Sequence, residues 1–385
     1  MLENMGKSGG PRIVVCCGSG GVGKTTISAA IGLHGALSGL KTIVLTIDPA
    51  RRLADVLGIG AFRDKARRVP LDSFGEMSGE MSGELHAMML DAKRTFDHLV
   101  ERYAPKEMQQ RILANRYYQH LSENMGGSHE YMAMEKLYEI HSQGGWDLIV
   151  LDTPPSRRAL DFLDAPQRVL NLLGHPYFMK LLRPRSRVGK LGGRVFGLVM
   201  TPFMKAVSQV VGKQAMEDLV SFFSLFNDAL LDGFENRAKA VESLLSGPTT
   251  AFVAITTPRA YPMQEAGFFY RRLKERGMPF YGFVVNRVHQ AVNSADVGTL
   301  FREIRGKNLL SPESIRDLET SYHWYSNLAQ SDQTVIRQLV RATGATVPVA
   351  VISMEDGEVC DMAGLRRIGR GIVEGENRLS EKRGA

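Results

Sequence analysis

Cysteine is scarce: Cys16, Cys17 and Cys360 are the only three in 385 residues. Three thiols cannot build a disulfide framework, and they fit a reducing compartment. No Cys-x-x-Cys pair occurs, which argues against a zinc knuckle. Long apolar runs are also missing. No stretch reaches the ~18 uncharged apolar residues that a membrane-spanning helix needs. Residues 1–12 are polar and contain glycine, without the apolar centre of a secretory signal. These absences predict a cytoplasmic chain with no transmembrane segment. Charge of one sign is not in great excess: the net +7 is mild for this length, and its distribution matters more than its size. Between residues 165 and 216, however, there is no acidic residue at all.

What is present is a globular composition, 44% hydrophobic and 23% charged, long enough for one large α/β domain or two ordinary ones. Short apolar runs at 13–17, 41–47, 146–152, 250–256, 279–286 and 347–353 read as buried strands. Helical patterns separate them, at 24–39, 262–276 and 362–373 among others. Strands alternating with helices predict a mainly parallel sheet flanked by helices. Ligands of such sheets bind at the C-terminal ends of strands, where Gly18, Asp48, Asp152 and Asn286 fall. Two segments break the alternation. Residues 90–142 read as helical with one break at Gly126-Gly127, and 166–245 lack strand signals. They predict a helical subdomain from segments 90–145 and 165–246, within one domain covering 10–374. The repeat Gly75-Glu76-Met77-Ser78-Gly79-Glu80-Met81-Ser82 reads as an expanded loop. The polar residues 375–385 read as a disordered tail.

One motif carries chemistry. Gly18-Ser19-Gly20-Gly21-Val22-Gly23-Lys24-Thr25-Thr26 has the Gly-x-x-x-x-Gly-Lys-Thr spacing of a phosphate-binding loop, after a strand and before a helix. Its glycines let successive N–H groups of Gly20, Gly21, Val22 and Gly23 face a phosphate, and the helix from Lys24, Thr25 and Thr26 adds its dipole. Lys24 would reach the β- and γ-phosphates of ATP, and Thr25 would place its hydroxyl on Mg²⁺. Asp152 ends an apolar strand, where such enzymes hold Mg²⁺ through water. Asp48 ends another. It is either the catalytic group that orients the attacking water or an ordinary strand-ending acid.

These stretches together resemble the deviant P-loop ATPases of the arsenical-pump (ArsA-type) family, which includes a targeting factor for tail-anchored membrane proteins. The resemblance rests on Gly18 to Thr26, on Asp48-Pro49-Ala50 and on Asp152-Thr153-Pro154-Pro155. It continues through Thr257-Pro258, Val284-Val285-Asn286-Arg287 and Gly357-Glu358-Val359. It implies a P-loop NTPase fold, ATP and Mg²⁺ as cofactors, Asn286 at the adenine and Ser353 in the loop flanking it. It also implies a dimer closed by ATP, a homodimer or a heterodimer with a paralogue, since the P-loop occurs once here. Two departures bear on catalysis. Ser19 stands where the family's loop has a lysine that reaches the partner's nucleotide, and turnover by the lone chain depends on what replaces it. Arg51-Arg52 stands where His and a small polar residue are usual. These arginines either supply the missing charge or are simply solvated.

The acid-free stretch interleaves Arg183, Arg185, Arg187 and Lys190 with Leu, Phe, Val and Met. Such a surface suits apolar helices of a membrane-protein client, near the membrane periphery. A helical core with a solvated basic face explains the same pattern. No nucleic-acid binding is expected, because the aromatics are not spaced as stacking platforms. The leading reading is an ATP-driven switch that couples nucleotide state to an apolar client. The alternatives are an ATPase subunit energising a membrane anion exporter and a non-hydrolysing subunit paired with a lysine-bearing paralogue.

Overall fold

The computed structural model describes residues 5–7, 9–47, 52–60, 64–71, 83–116, 118–119, 122, 128–153, 164–167, 170–171, 228–291, 294–307, 310–344, 347–355, 357, 359 and 361–381. The chain divides into two compact units. One comprises Met1–Met89, Gly145–Ala159 and Ser246–Ala385, the other Leu90–Gly144 and Leu160–Leu245.

The first unit is built on an eight-stranded sheet. In chain order its strands are β1 (Ile13–Cys17), β2 (Lys41–Thr46), β3 (Arg67–Arg68), β4 (Glu84–Met89), β5 (Leu148–Asp152), β6 (Thr250–Thr256), β7 (Phe280–Val288) and β8 (Val349–Ser353). Their spatial order is β3-β4-β2-β5-β1-β6-β7-β8. Every pairing is parallel except that of β3 with β4. β1, β5 and β6 are buried along their whole length, as continuous apolar runs covered on both faces must be. This is the doubly covered α/β sheet of a P-loop NTPase.

Helices alternate with these strands: α1 (Lys24–Leu37), α2 (Arg52–Val56), then α3 (Ala92–Tyr103), α4 (Lys106–Leu113), α5 (Ser128–Gln143) and α6 (Asp228–Ser246). They are followed by α7 (Ala260–Glu275), α8 (Ser294–Gly306), α9 (Pro312–Thr343) and α10 (Met362–Glu381). On one face of the sheet, Val14, Cys16, Val44, Val150, Val253 and Val284 pack with Ile27 and Ile31 of α1 and with Leu365, Ile368 and Ile372 of α10. α1 lies close to the sheet because small residues face it. A Cβ on Gly35 would come 2.7 Å from Leu148 Cδ2 and 2.8 Å from Thr42 Oγ1.

The second unit is helical in its described residues. Asp91 caps α3 by accepting from Arg94 N at 3.0 Å. Tyr118 Oη donates to Asp97 at 2.6 Å. Between α5 and α6, Arg237 Nε donates to Glu135 Oε1 at 2.5 Å, and the guanidinium lies 4.0 Å over the Tyr138 ring. Burial raises the Glu135 carboxyl above its ordinary value, and Arg237 opposes that rise. Removing either partner would leave an uncompensated buried charge.

Three expectations need correction. The sheet has eight strands rather than six, because β3 and β4 were not anticipated. Glu-Leu-His-Ala-Met-Met in β4 has no β-branched residue, and its pairing with β2, not its propensity, makes it a strand. Residues 90–142 are not broken only at Gly126-Gly127, a pair outside the described residues. Pro105 separates α3 from α4, and Gln109 Nε2 donates to the free carbonyls of Glu101 and Ala104 at 2.7 and 2.9 Å. Finally, α10 continues to Glu381, so residues 375–381 are helix rather than disordered tail. Gly375 is what allows this, since a Cβ there would meet the backbone of Val351 at 2.7 Å. The duplicated 75–82 segment and the basic stretch from 172 to 216 lie outside the described residues.

The close seating of α1 is testable. Gly35→Val should destabilise the chain by about 1–3 kcal/mol, the usual cost of overpacking. It would be read as a lowered thermal midpoint, and an unchanged midpoint would show that helix and sheet have room to spare.

Candidate functional site

β1 ends in the middle of the sheet, and the chain turns at once through residues 18–23 into α1. Gly21 and Gly23 have φ of +79° and +90°, which side-chain-bearing residues rarely adopt. Gly18 has a different reason: a Cβ there would run into the carbonyl of Ile255 at the end of β6. The turn curls the backbone around the N-terminus of α1. Gly23 is its N-cap, no side chain caps it, and no acid lies in the first turn. An uncapped helix start in a glycine loop presents N–H donors and a positive dipole end, which together suit a phosphate. Lys24 is buried and its Nζ donates to the Ser19 carbonyl at 2.9 Å, so the cation sits inside the loop.

The parallel registers bring the acid to this loop. Asp152 is level with Cys16 of β1 and Thr46 of β2. Its Oδ2 accepts from Thr25 Oγ1 at 2.8 Å and from Thr46 Oγ1 at 3.1 Å. Thr25 and Asp152, distant in sequence, thus meet as two hard oxygen donors beside the phosphate-binding turn. That donor set fits Mg²⁺, which takes one or two protein oxygens and completes its shell with water and substrate phosphates. It does not suit a metal held by the protein alone: the described residues contain no group of three or more His, Cys, Asp or Glu able to hold one.

A third strand reaches the loop from the other side. Asn286, buried near the end of β7, donates from Nδ2 to the Val22 carbonyl at 2.9 Å. Its Oδ1 accepts from Arg287 N at 3.0 Å, and Arg287 Nη1 donates to the Gly21 carbonyl at 3.2 Å. The next residues tie elsewhere. His289 N and Nδ1 bond to Asp332 of α9 at 2.9 and 2.8 Å, and Gln290 donates to the hydroxyl of Ser353 at the end of β8.

Gly20, Gly21, Val22, Gly23, Lys24, Thr25, Thr26 and Asp152 are therefore gathered at one edge of the sheet, with Asn286 directly behind the loop. Ser353 ends β8, and its contact is with Gln290. Arg52 is exposed at the start of α2, whereas Asp48 and Arg51 lie outside the described residues. Sequence reasoning missed Thr46, and it named Thr153 and Arg287 only within longer motifs, without a role. Thr46 was legible as a hydroxyl closing an apolar strand beside the sheet's central acid. Thr153 Oγ1 donates to the Cys16 carbonyl at 2.7 Å, holding the turn after β5 against β1. Arg287 had no readable signal beyond its place after Asn286.

Comparison with known proteins points to a family of ATPases. The family model described as "Anion-transporting ATPase" matches residues 11–311. A protein of Aquifex aeolicus named as an arsenical pump-driving ATPase is 25% identical over 282 residues, 72% of this chain and 63% of that protein. A Halobacterium salinarum protein with a like name is 30% identical over 159 residues, 40% of this chain and 24% of its own length. "ATPase GET3" of Malassezia globosa is 24% identical over 290 residues, 74% of this chain and 76% of that protein. The chain thus spans less than two thirds of the first two relatives.

The two adjacent cysteines are not available to a ligand. Both are fully buried, and Cys16 packs on the face of the sheet covered by α1 and α10. Neighbours along a strand point to opposite faces, so the two sulfurs cannot converge on one ion. Burial pushes the Cys17 thiol up to about 12 and raises Cys16 as well. Raised thiol values keep both groups protonated, hence unreactive, through neutral and mildly alkaline pH. Iodoacetamide at pH 8 should leave the tryptic peptide carrying Cys16 and Cys17 unmodified in the native chain and alkylate it fully in denaturant. Native alkylation of that peptide would contradict the assignment.

Proposed function

We propose, from the premise that this chain belongs to the anion-transporting ATPase family, that it binds and hydrolyses ATP and acts as a nucleotide-driven switch. The observation that carries this is the meeting of Thr25 and Asp152 under the uncapped start of α1, with Lys24 inside the loop. The N–H groups of Gly20, Gly21, Val22 and Gly23 and the first turn of α1 bind the β- and γ-phosphates. Lys24 leaves the Ser19 carbonyl to neutralise them. Thr25 and Asp152 would hold Mg²⁺, which would supply charge neutralisation at the phosphoryl oxygens. Asp48 accepts a hydrogen bond from the attacking water and orients it. Asn286 and Ser353 complete the nucleotide-binding set.

The switch works as a dimer, and its two nucleotide states differ in affinity for an apolar segment of a membrane-protein client. The acid-free stretch with its Met, Phe and basic residues supports a client of that kind. "ATPase GET3" matches over three quarters of both chains, which favours the same class. No described helix is long and apolar enough to cross a membrane. A second reading, an ATPase energising an anion exporter, is favoured by the name of the Aquifex relative. It would need an ion site other than the buried Cys16 and Cys17.

Lys24→Ala should abolish measurable nucleotide binding, because the phosphates lose their nearest cation; calorimetric titration with MgATP decides. Binding at parental affinity would remove the phosphate-loop assignment.

Ser19 sharpens the catalytic half. It is buried, and its short side chain cannot extend to a second nucleotide as a lysine can. A cation at the transferring phosphoryl group is worth a factor of about 10³ or more. The purified chain should therefore bind ATP but turn it over slowly, and Ser19→Lys should accelerate turnover. Fast turnover in the parent, lost in Arg51→Ala or Arg52→Ala, would assign the charge to that arginine. Fast turnover in all four proteins would show that no such cation is required.

A further inference from the structure

The segment that closes β7 has a backbone conformation that needs explaining. Arg287 is the one non-glycine residue with positive φ, +59°, among the described residues. A side-chain-bearing residue there is strained and is kept where the surroundings fix it. The ladder between β7 and β8 slips at the same place, between Val285 and Val288. A bulge beside a functional site re-aims side chains. Here it aims two consecutive side chains at two consecutive carbonyls: Asn286 Nδ2 at Val22 and Arg287 Nη1 at Gly21. The Asn286 amide is fixed in that orientation, because its Oδ1 accepts from Arg287 N.

Both carbonyls belong to the phosphate-binding turn. When successive N–H groups of such a turn converge on an anion, its carbonyls face outward. The carbonyl of Gly21 and the N–H of Val22 are one peptide unit, as are the carbonyl of Val22 and the N–H of Gly23. A donor on each carbonyl fixes the plane of that unit and polarises its N–H, strengthening it toward the anion inside. The fit is close: a Cβ on residue 23 would run into the Asn286 amide.

We propose that Asn286 and Arg287 form a latch on the outer face of the phosphate loop. It holds the Val22 and Gly23 N–H groups on the polyphosphate of the ligand, whatever its base. Both are positioning residues. The inference rests on the reading of this loop as the nucleotide site and deepens it: Asn286 acts on affinity through the loop's backbone and the triphosphate.

The experiment is calorimetric titration of the full chain with MgATP, MgGTP and magnesium tripolyphosphate, comparing the parent with Asn286→Asp and Arg287→Gly. Asn286→Asp keeps the shape and replaces the donor with an acceptor facing the Val22 carbonyl. Arg287→Gly keeps the N–H that Asn286 accepts, relieves the positive φ and deletes the guanidinium. Each should weaken tripolyphosphate as well as ATP and GTP: Asn286→Asp by about tenfold, the loss expected for a buried hydrogen bond, and Arg287→Gly by about two- to threefold, since its bond is exposed. Arg287→Gly should meanwhile hold or raise the thermal midpoint of the ligand-free chain, which a merely structural role would lower. Parental tripolyphosphate affinity in either variant overturns the latch, including the case where only ATP binding falls, which would assign Asn286 to the base. If Asn286→Asp does not fold, Arg287→Gly alone decides. A parent that binds neither ATP nor tripolyphosphate would remove the nucleotide site itself. A parent that binds both, with variants unaffected, removes only the latch.

Discussion

Asp152 is a carboxylate at the buried end of a central strand, and the arrangement of the site follows from the hydroxyls it accepts. A charge in that position is costly unless it is hydrogen-bonded. Thr46 answers it from the neighbouring strand and Thr25 from the first turn of α1. Those two bonds tie β2, β5 and the helix start into one corner of the sheet. The corner can exist only if β1 lies between β5 and β6, because that order places the glycine turn directly above the acid. Sheet order, helix position and metal-binding chemistry are thus one constraint seen at three scales.

Much of this was legible beforehand. The central strands are continuous apolar runs, and the glycines between 13–17 and 24–39 announce a turn that only glycine can make. An acid at the end of a buried strand is conspicuous against its surroundings. Propensity failed where tertiary pairing decided. β4 is a strand because β2 offers it a free edge, and α10 runs on through Gly375, which lies against Val351 of β8. The role of Asn286 was legible only in outline. The family resemblance put it at the adenine, while its partner in the structure, a carbonyl of the loop, depends on a bulge that no periodicity announces. The ending of α3 at Pro105 was readable and was overlooked beneath a strong helical pattern.

The second unit follows a different logic. Its described interior sets an arginine–glutamate pair stacked on tyrosine among apolar residues such as Leu99, Met134, Leu137 and Val241. A paired buried charge is a demanding contact, since it tolerates little displacement before desolvation is no longer offset. Packing of that kind specifies which helices pair and in what register more sharply than apolar packing does.

The order in which the sheet is assembled sets a condition on the chain's synthesis. β1 precedes both of its neighbours in the chain: the strands on either side of it begin only at Leu148 and Thr250, and β8 begins only at Val349. At about 5–20 residues per second, a long apolar strand end waits for its first neighbour for on the order of ten seconds, and for its second longer still. Pairings so distant in sequence are slow to close and leave sticky edges open meanwhile. A chain built this way depends on being shielded while it is made, and its yield in a cell is governed by translation speed and chaperone supply as much as by the stability of the finished fold.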